Sequence, residues 1–371
     1  NLESEHSFYS KVFLESLINI AKVNEAYRYS VKLSNNNQNF YQSDIIIASK
    51  LIKNEKFNKA VNHLNSIERV KYSPLQKLIM QITLNWIKVE NSQLDYNQAI
   101  KIFNSMDSRY LNLKKINKAF LNCYFDTTNL DINFQQLIQD KSTDFSRYAY
   151  FYANYLLKKN NLKEANLVLD NQLKNLPGNL LLNQLKEDIK LRKKNFLQNN
   201  FDCKNISHIL AEIYYITANA LSSQTLYTLS NFYLNLSKYL NKKFYSFDTL
   251  LAENYYKAGN SNYAKKIYKE LEKKGDAFFW YSSKQLANIL LENKDNDQAI
   301  NIVKNAYNKL EHKGIYEKFD YAEFLKNNDK FNEAIIFYTE IIKSININHP
   351  LYPEVLDGRG VCFERVGDWD K

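Results

Sequence analysis

Alanine recurs at positions 26, 60, 99, 165, 264, 299 and 334, at separations of 34, 39, 66, 99, 35 and 35 residues. These intervals read as one unit of roughly 34 residues with three degenerate slots, and self-similarity at such a period marks an array of supersecondary units. A stack of helix pairs offers a long curved surface and no obvious catalytic cleft, so the period constrains how the chain binds more than what it binds. At 371 residues the chain also exceeds the size at which one globular core keeps growing. With 7 Gly and 4 Pro it has few residues for the sharp turns of many short strands, while 45% hydrophobic content is ample for burial. The expected class is all-α.

The clearest unit spans 248–271. Leu251, Ala252 and Tyr255 form an apolar stripe at helical spacing, Lys257-Ala258-Gly259-Asn260 turns the chain, and Ala264, Tyr268 and Leu271 line one face of a second helix. Small residues at 252 and 264 let two antiparallel helices approach closely. The same offsets hold for Leu286, Ala287, Leu290, Ala299, Val303 and Ala306, and for Tyr321, Ala322, Leu325, Phe331, Ala334, Tyr338 and Ile341. Earlier copies run through Ile47, Ala48, Leu51, Phe57, Ala60 and Leu64, and through Tyr152, Ala153, Leu156, Leu162, Ala165 and Leu169, the latter followed by Pro177. Weaker copies centre on Ala26 and, with a lengthened turn, on Ala99; another helix pair is expected over 110–138.

These offsets resemble the tetratricopeptide (TPR) repeat, with its large apolar residue, small Gly or Ala, aromatic, aromatic before the second-helix Ala, and closing Pro. The resemblance covers most of the chain and implies a right-handed superhelical α-solenoid of helix-turn-helix repeats. Its organisation is expected as N-terminal TPR-like repeats over 1–178, an irregular helical joint over 179–245 where the pattern loosens, and C-terminal TPR repeats over 246–371. The last stretch, from Leu356 to Lys371, looks like the first helix and turn of a further unit, so that Leu356, Phe363 and Trp369 are expected to form an apolar face without a partner. It is similar to long bacterial TPR proteins, some of them exported to the periplasm. The likeness makes a continuation beyond Lys371 the expectation, and a periplasmic setting preferred over the cytoplasm, with the start at Asn1 in place of Met leaving room for a removed targeting segment.

Charge and motifs narrow the functional class. The formal charge of +10 comes from 43 Lys and 7 Arg scattered among acidic residues. The tight basic cluster of Lys190, Arg192, Lys193 and Lys194 reads as a solvated helix end, so nucleic acid is not the expected partner. Cys123, Cys203 and Cys362 are far apart, odd in number and without CxxC spacing, and are expected as buried free thiols. His6, His63, His208, His312 and His349 are isolated from one another and from any HExxH pattern, which argues against a zinc site. Gly358-Arg359-Gly360 lies within a helical repeat and is a small-residue packing position, not a phosphate loop. No GxSxG motif occurs and no run of 18 apolar residues spans a membrane. No catalytic residue, metal or cofactor is expected, and the chain is read as non-enzymatic.

The remaining candidates are first-helix positions that TPR arrays turn into a concave groove. Tyr150, Tyr256 and Phe319, with Asn154, Thr249, Glu253, Lys284, Asn288 and Glu323, are expected to line a mixed polar and aromatic channel for a peptide or protein. Lys284 and Asn288 match the first half of the carboxylate clamp of some TPR co-chaperones. The second half would fall on Asp320, Glu354 and Gly358, and a carboxylate there repels a carboxylate ligand, so chaperone-tail clamping is rejected. Two other readings compete with a protein-binding scaffold. An RNA-binding helical repeat fits the two 35-residue spacings and the pI near 9.1, but Thr249, Lys284 and Phe319 at the base-reading offset form no consistent code. The chain is alternatively the substrate-recruiting arm of a larger enzyme lying outside these residues.

Overall fold

The computed structural model describes residues 7–67, 72–191, 201–368 and 370. Among them are twenty α-helices and no strand. The N-terminal hairpins are α1 (Ser7–Asn19) with α2 (Val23–Asn35), α3 (Tyr41–Lys53) with α4 (Phe57–Ser66), and α5 (Pro74–Glu90) with α6 (Tyr96–Asn104). They are followed by α7 (Leu111–Phe125) with α8 (Leu130–Gln139), and by α9 (Ser146–Lys158) and α10 (Leu162–Asn175). Then come α11 (Leu180–Lys190), the long pair α12 (Ile206–Ser223) and α13 (Tyr227–Leu240), and α14 (Phe247–Lys257) and α15 (Ser261–Leu271). The chain closes with α16 (Asp276–Glu292), α17 (Asn296–Lys309), α18 (Ile315–Asn327), α19 (Phe331–Ser344) and α20 (Tyr352–Val366).

All seven periodic alanines are fully buried, each at 0% exposure. The turn before each second helix is equally regular. Ala21, Glu55, Asn160, Gly259, Lys294 and Asp329 adopt left-handed backbone with φ between 57° and 79°, each five positions ahead of its alanine. The next amide reaches back five residues, as in Lys22 N to Leu17 O at 2.8 Å, Lys56 N to Leu51 O at 2.9 Å and Lys330 N to Leu325 O at 2.9 Å. This Schellman closure satisfies a carbonyl at the helix end and aims the second helix back along the first. Ahead of Ala99 the left-handed residue is Ser92, seven positions upstream, which accounts for the lengthened turn.

The α12–α13 hairpin shares this geometry. Thr225 has φ of 63°, Leu226 N bonds Leu221 O at 3.0 Å, and five positions after Thr225 lies Ser230, fully buried with its Oγ donating to Ala218 O at 2.7 Å. A serine occupies the alanine slot, because a nearby carbonyl of the facing helix accepts its hydroxyl. The segment expected as an irregular helical joint, with long helices over 206–220 and 224–240, thus holds a hairpin with the same turn geometry.

The helices fall into two compact units, one formed by 1–170 and 192–260, the other by 171–191 and 261–371. In the first unit, consecutive helices from α1 to α9 pack in turn, and α12–α13 lies against them: α13 on α1 and α3, α12 on α5. Tyr41 and Tyr233 share a hydroxyl hydrogen bond of 2.8 Å. Arg147 of α9 donates two bonds to Glu212 of α12, at 2.7 and 2.8 Å, with its guanidinium 3.8 Å from the centre of the Tyr215 ring. In the second unit α15 to α20 pack in sequence, around a core that includes Trp280, Val303, Tyr307, Tyr321, Leu325, Tyr338 and Ile341. Here α11 packs on α16, where Gln184 Oε1 accepts from Ala277 N at 3.0 Å. Gly275, at φ 130°, makes room for this: a Cβ there would fall 2.2 Å from the Gln184 amide.

Several sequence expectations are corrected. Cys123 and Cys203 are not free thiols but a disulfide, with Cα atoms 5.9 Å apart; only Cys362 is a buried free cysteine. Their separation of 80 residues concealed a return of the chain, which seats Phe201 on Phe151 with ring centres 4.0 Å apart and brings Cys203 to α7. In the glycine pair, Gly358 is a packing position, since a Cβ would meet the Tyr338 ring at 2.7 Å, whereas Gly360 faces open space. On α20 Leu356 is exposed and Phe363 is half-buried. Trp369, His6 and three members of the basic cluster, Arg192, Lys193 and Lys194, lie outside the described residues; Lys190 is exposed at the end of α11.

Candidate binding face

The nine candidate groove residues divide between the units. On α9, Tyr150 and Asn154 are 2% and 1% exposed, so neither lines an open channel. The side of α9 that carries them is covered by other parts of the chain. The Tyr150 ring lies 5.9 Å from Phe244, which follows α13, and Arg147 one turn earlier is bound to α12. The Asn154 amide is buried and makes no hydrogen bond among the described residues. On α14, Thr249, Glu253 and Tyr256 are half-buried, and the Thr249 hydroxyl donates to Ser246 O at 2.8 Å.

In the second unit Lys284 and Asn288 of α16 and Phe319 and Glu323 of α18 all reach the surface, with Asn288 exposed and the others half-buried. Two separate polar clusters hold Lys284 and Glu323. The Lys284 ammonium is paired with Asp320 and lies 5.2 Å from the centre of the Trp280 ring; Asp320 also accepts from Trp280 Nε1 at 3.2 Å. Glu323 accepts from the Tyr338 hydroxyl and from Lys326 at 2.8 Å. Phe319 meets Tyr338 edge-on at 6.3 Å. Burial pushes the Glu317 carboxyl up, with the Asp320 charge adding to it, and burial together with the Glu323 bond pushes the Tyr338 hydroxyl well up.

This arrangement shows why Lys284 is a poor anchor for an incoming carboxylate: its charge is already matched by Asp320, at the position where a clamp would place asparagine. What the face offers is an aromatic edge at Phe319, amide chemistry at Asn288 and a fixed ion pair. Sequence reading missed Trp280 and Asp320 as the residues that orient Lys284. The Trp280 and Lys284 spacing of four was visible as a helical neighbour pair, but Asp320, 36 residues on, became its partner only through packing of successive repeats. No group of three or more His, Cys, Asp or Glu able to hold a metal ion occurs among the described residues, and no described helix is long and apolar enough to cross a membrane.

No family model matches the chain, and no curated protein sequence matches it either. Solved structures do match, among them the crystal structure of yeast Tom70, which is similar over 99% of this chain and 83% of its own, at 15% identity and a TM-score of 0.34. The protein is an all-α chain of repeated helical hairpins, as its own buried alanines and recurring turns define it.

Proposed function

We propose that this protein is a non-enzymatic scaffold that recruits a protein partner by seating an extended or helical peptide against the α16–α18 face. Phe319 supplies apolar area, Asn288 bonds the peptide backbone, and Lys284 and Glu323 flank it with fixed charges. Thr249, Glu253 and Tyr256 of α14 form a further candidate contact set in the first unit. The observation that carries this reading is unequal cover: the first-helix positions of the second unit keep open polar and aromatic surface, whereas those of α9 are filled by the chain itself.

The test is crosslinking and capture of a partner by the protein and by an Asn288→Arg, Phe319→Ala variant. Neither side chain is fully buried, so far-UV helicity is expected to stay unchanged while capture falls at least tenfold. Undiminished capture by a folded variant would place the binding elsewhere.

A further inference from the structure

A second feature, independent of that face, lies in the first unit. The opening turns of α2 and the C-terminal half of α13 enclose a cleft of about 530 Å³, lined among others by Lys22, Asn24, Arg28, Lys238, Tyr239 and Lys242. This volume falls in the range of small-molecule sites. Two segments far apart in sequence build it, so no basic run announces it.

The charges of the cleft do not cancel. Lys22 is offset by Glu25 at 3.3 Å and Lys238 by Asp248. Arg28 and Lys242 are exposed and have no ion-pair partner among the described residues. Two lysines of α3 add to the excess. Lys50 Nζ donates to Asn24 Oδ1 at 2.7 Å and sits 5.8 Å from the centre of the Tyr239 ring, and Lys53 Nζ donates to Leu240 O at 2.7 Å. Burial lowers the Lys53 ammonium pKa, and repulsion from Lys242 lowers it further. Four cations, Lys22, Arg28, Lys238 and Lys242, thus line the cleft with Glu25 as its one lining carboxylate, Asp248 is paired with Lys238, and Lys50 lies behind the lining against Asn24 and Tyr239. The N-cap of α2 is Lys22, with no side-chain cap bond, so the positive end of that helix dipole adds to the same cleft.

One carboxylate ligand would leave most of this excess unmatched, whereas a dianion or larger would satisfy it. We propose that the α2–α13 cleft binds a small ligand bearing phosphate groups, with Arg28 and Lys242 as direct contacts and the Tyr239 ring as a flat wall for the ligand's body. Arg28 brings a fork suited to two phosphate oxygens, and Lys242 a compact point charge. The phosphate is either free in solution or carried on a lipid headgroup, and the two sources separate experimentally.

Titration calorimetry with inorganic pyrophosphate, and sedimentation with phosphatidylglycerol vesicles, are run on the wild type, on Arg28→Gln/Lys242→Gln, and on Lys309→Gln, an exposed lysine of the other unit. Pyrophosphate is expected to bind one to one. The double variant should bind at least tenfold more weakly at unchanged helicity, and Lys309→Gln should match the wild type. Binding to vesicles alone, lost in the double variant, assigns the same cleft to a headgroup. The proposal is overturned if neither probe binds, or if Lys309→Gln and the cleft variant weaken binding alike, which would mean diffuse attraction by a basic protein.

Discussion

Helices α9 and α18 each have 13 residues and carry the same first-helix pattern, yet ten residues of α9 are buried and three of α18. The difference is not in the repeats. Tyr152, Ala153 and Leu156 on one and Tyr321, Ala322 and Leu325 on the other are all buried in the way the shared pattern demands. It lies in what covers other faces of the helix: in the first unit Glu212 of α12 binds Arg147 and Phe244 lies against Tyr150, and in the second unit the Lys284–Asp320 and Lys326–Glu323 pairs stay partly in water. A repeat register therefore fixes where a side chain is aimed, while a distant part of the chain decides whether the place is free.

The sharpest contrast is between two ion pairs. Arg147 and Glu212 are 16% and 0% exposed in their side chains, against 27% and 41% for Lys284 and Asp320. Removing one partner of a buried, bonded pair strands the other, so Arg147→Ala is expected to cost about 3–5 kcal/mol. Lys284→Ala, with both charges reaching solvent, should cost less than about 1 kcal/mol. Urea unfolding of the two variants decides this, and similar losses would break the contrast.

A second test uses the covered unit's response to acid. His208 is pushed down to about 4, first by burial and then by repulsion from Lys53, Lys158 and Lys243, against the pull of Asp202. Its Nδ1 accepts the Asp202 amide at 3.1 Å, a bond that only the unprotonated nitrogen can make. The unfolded chain takes up this proton more readily, near pH 6.5, so the contribution is complete above about 6.5 and is lost as pH falls toward 4. The loss is expected to be roughly 2–3 kcal/mol. His208→Gln should flatten the decline in melting temperature over that interval, and an unchanged decline would relieve His208 of the role.

The smallest effect separates the two units at their turns. Thr225 and Lys294 both hold left-handed backbone, at φ of 63° and 62°, but Thr225 is β-branched and pays more strain. Glycine at either position is expected to stabilise by up to about 1 kcal/mol, more at Thr225 than at Lys294. Thermal melts of both variants rank them, and the reverse order would mean that the Thr225 side chain has a compensating contact.

Much of the fold was legible because close helix packing leaves a sequence trace: an alanine is retained wherever two backbones meet, and seven of those positions proved fully buried. The trace fails where another residue solves the same problem. Ser230 fits the slot by bonding Ala218 O, so the two long helices of the α12–α13 hairpin were legible but their repeat register was not. Tyr150 and Asn154 are buried, and Tyr150 lies against Phe244, 94 positions further on, a neighbour that no local pattern encodes. For the same reason the cysteine pairing and the cleft between α2 and α13 were invisible before the chain was folded.

The bond between Cys123 and Cys203 closes a covalent ring around everything between them, including all of α8 to α11. A protease cut anywhere inside that ring opens it without dividing the molecule, so nicked protein would migrate as one piece until a thiol reductant is added and then as two. Backbone breakage in this stretch is thereby uncoupled from separation of the pieces, and the persistence of the nicked protein as one molecule is set by the thiol chemistry of its surroundings.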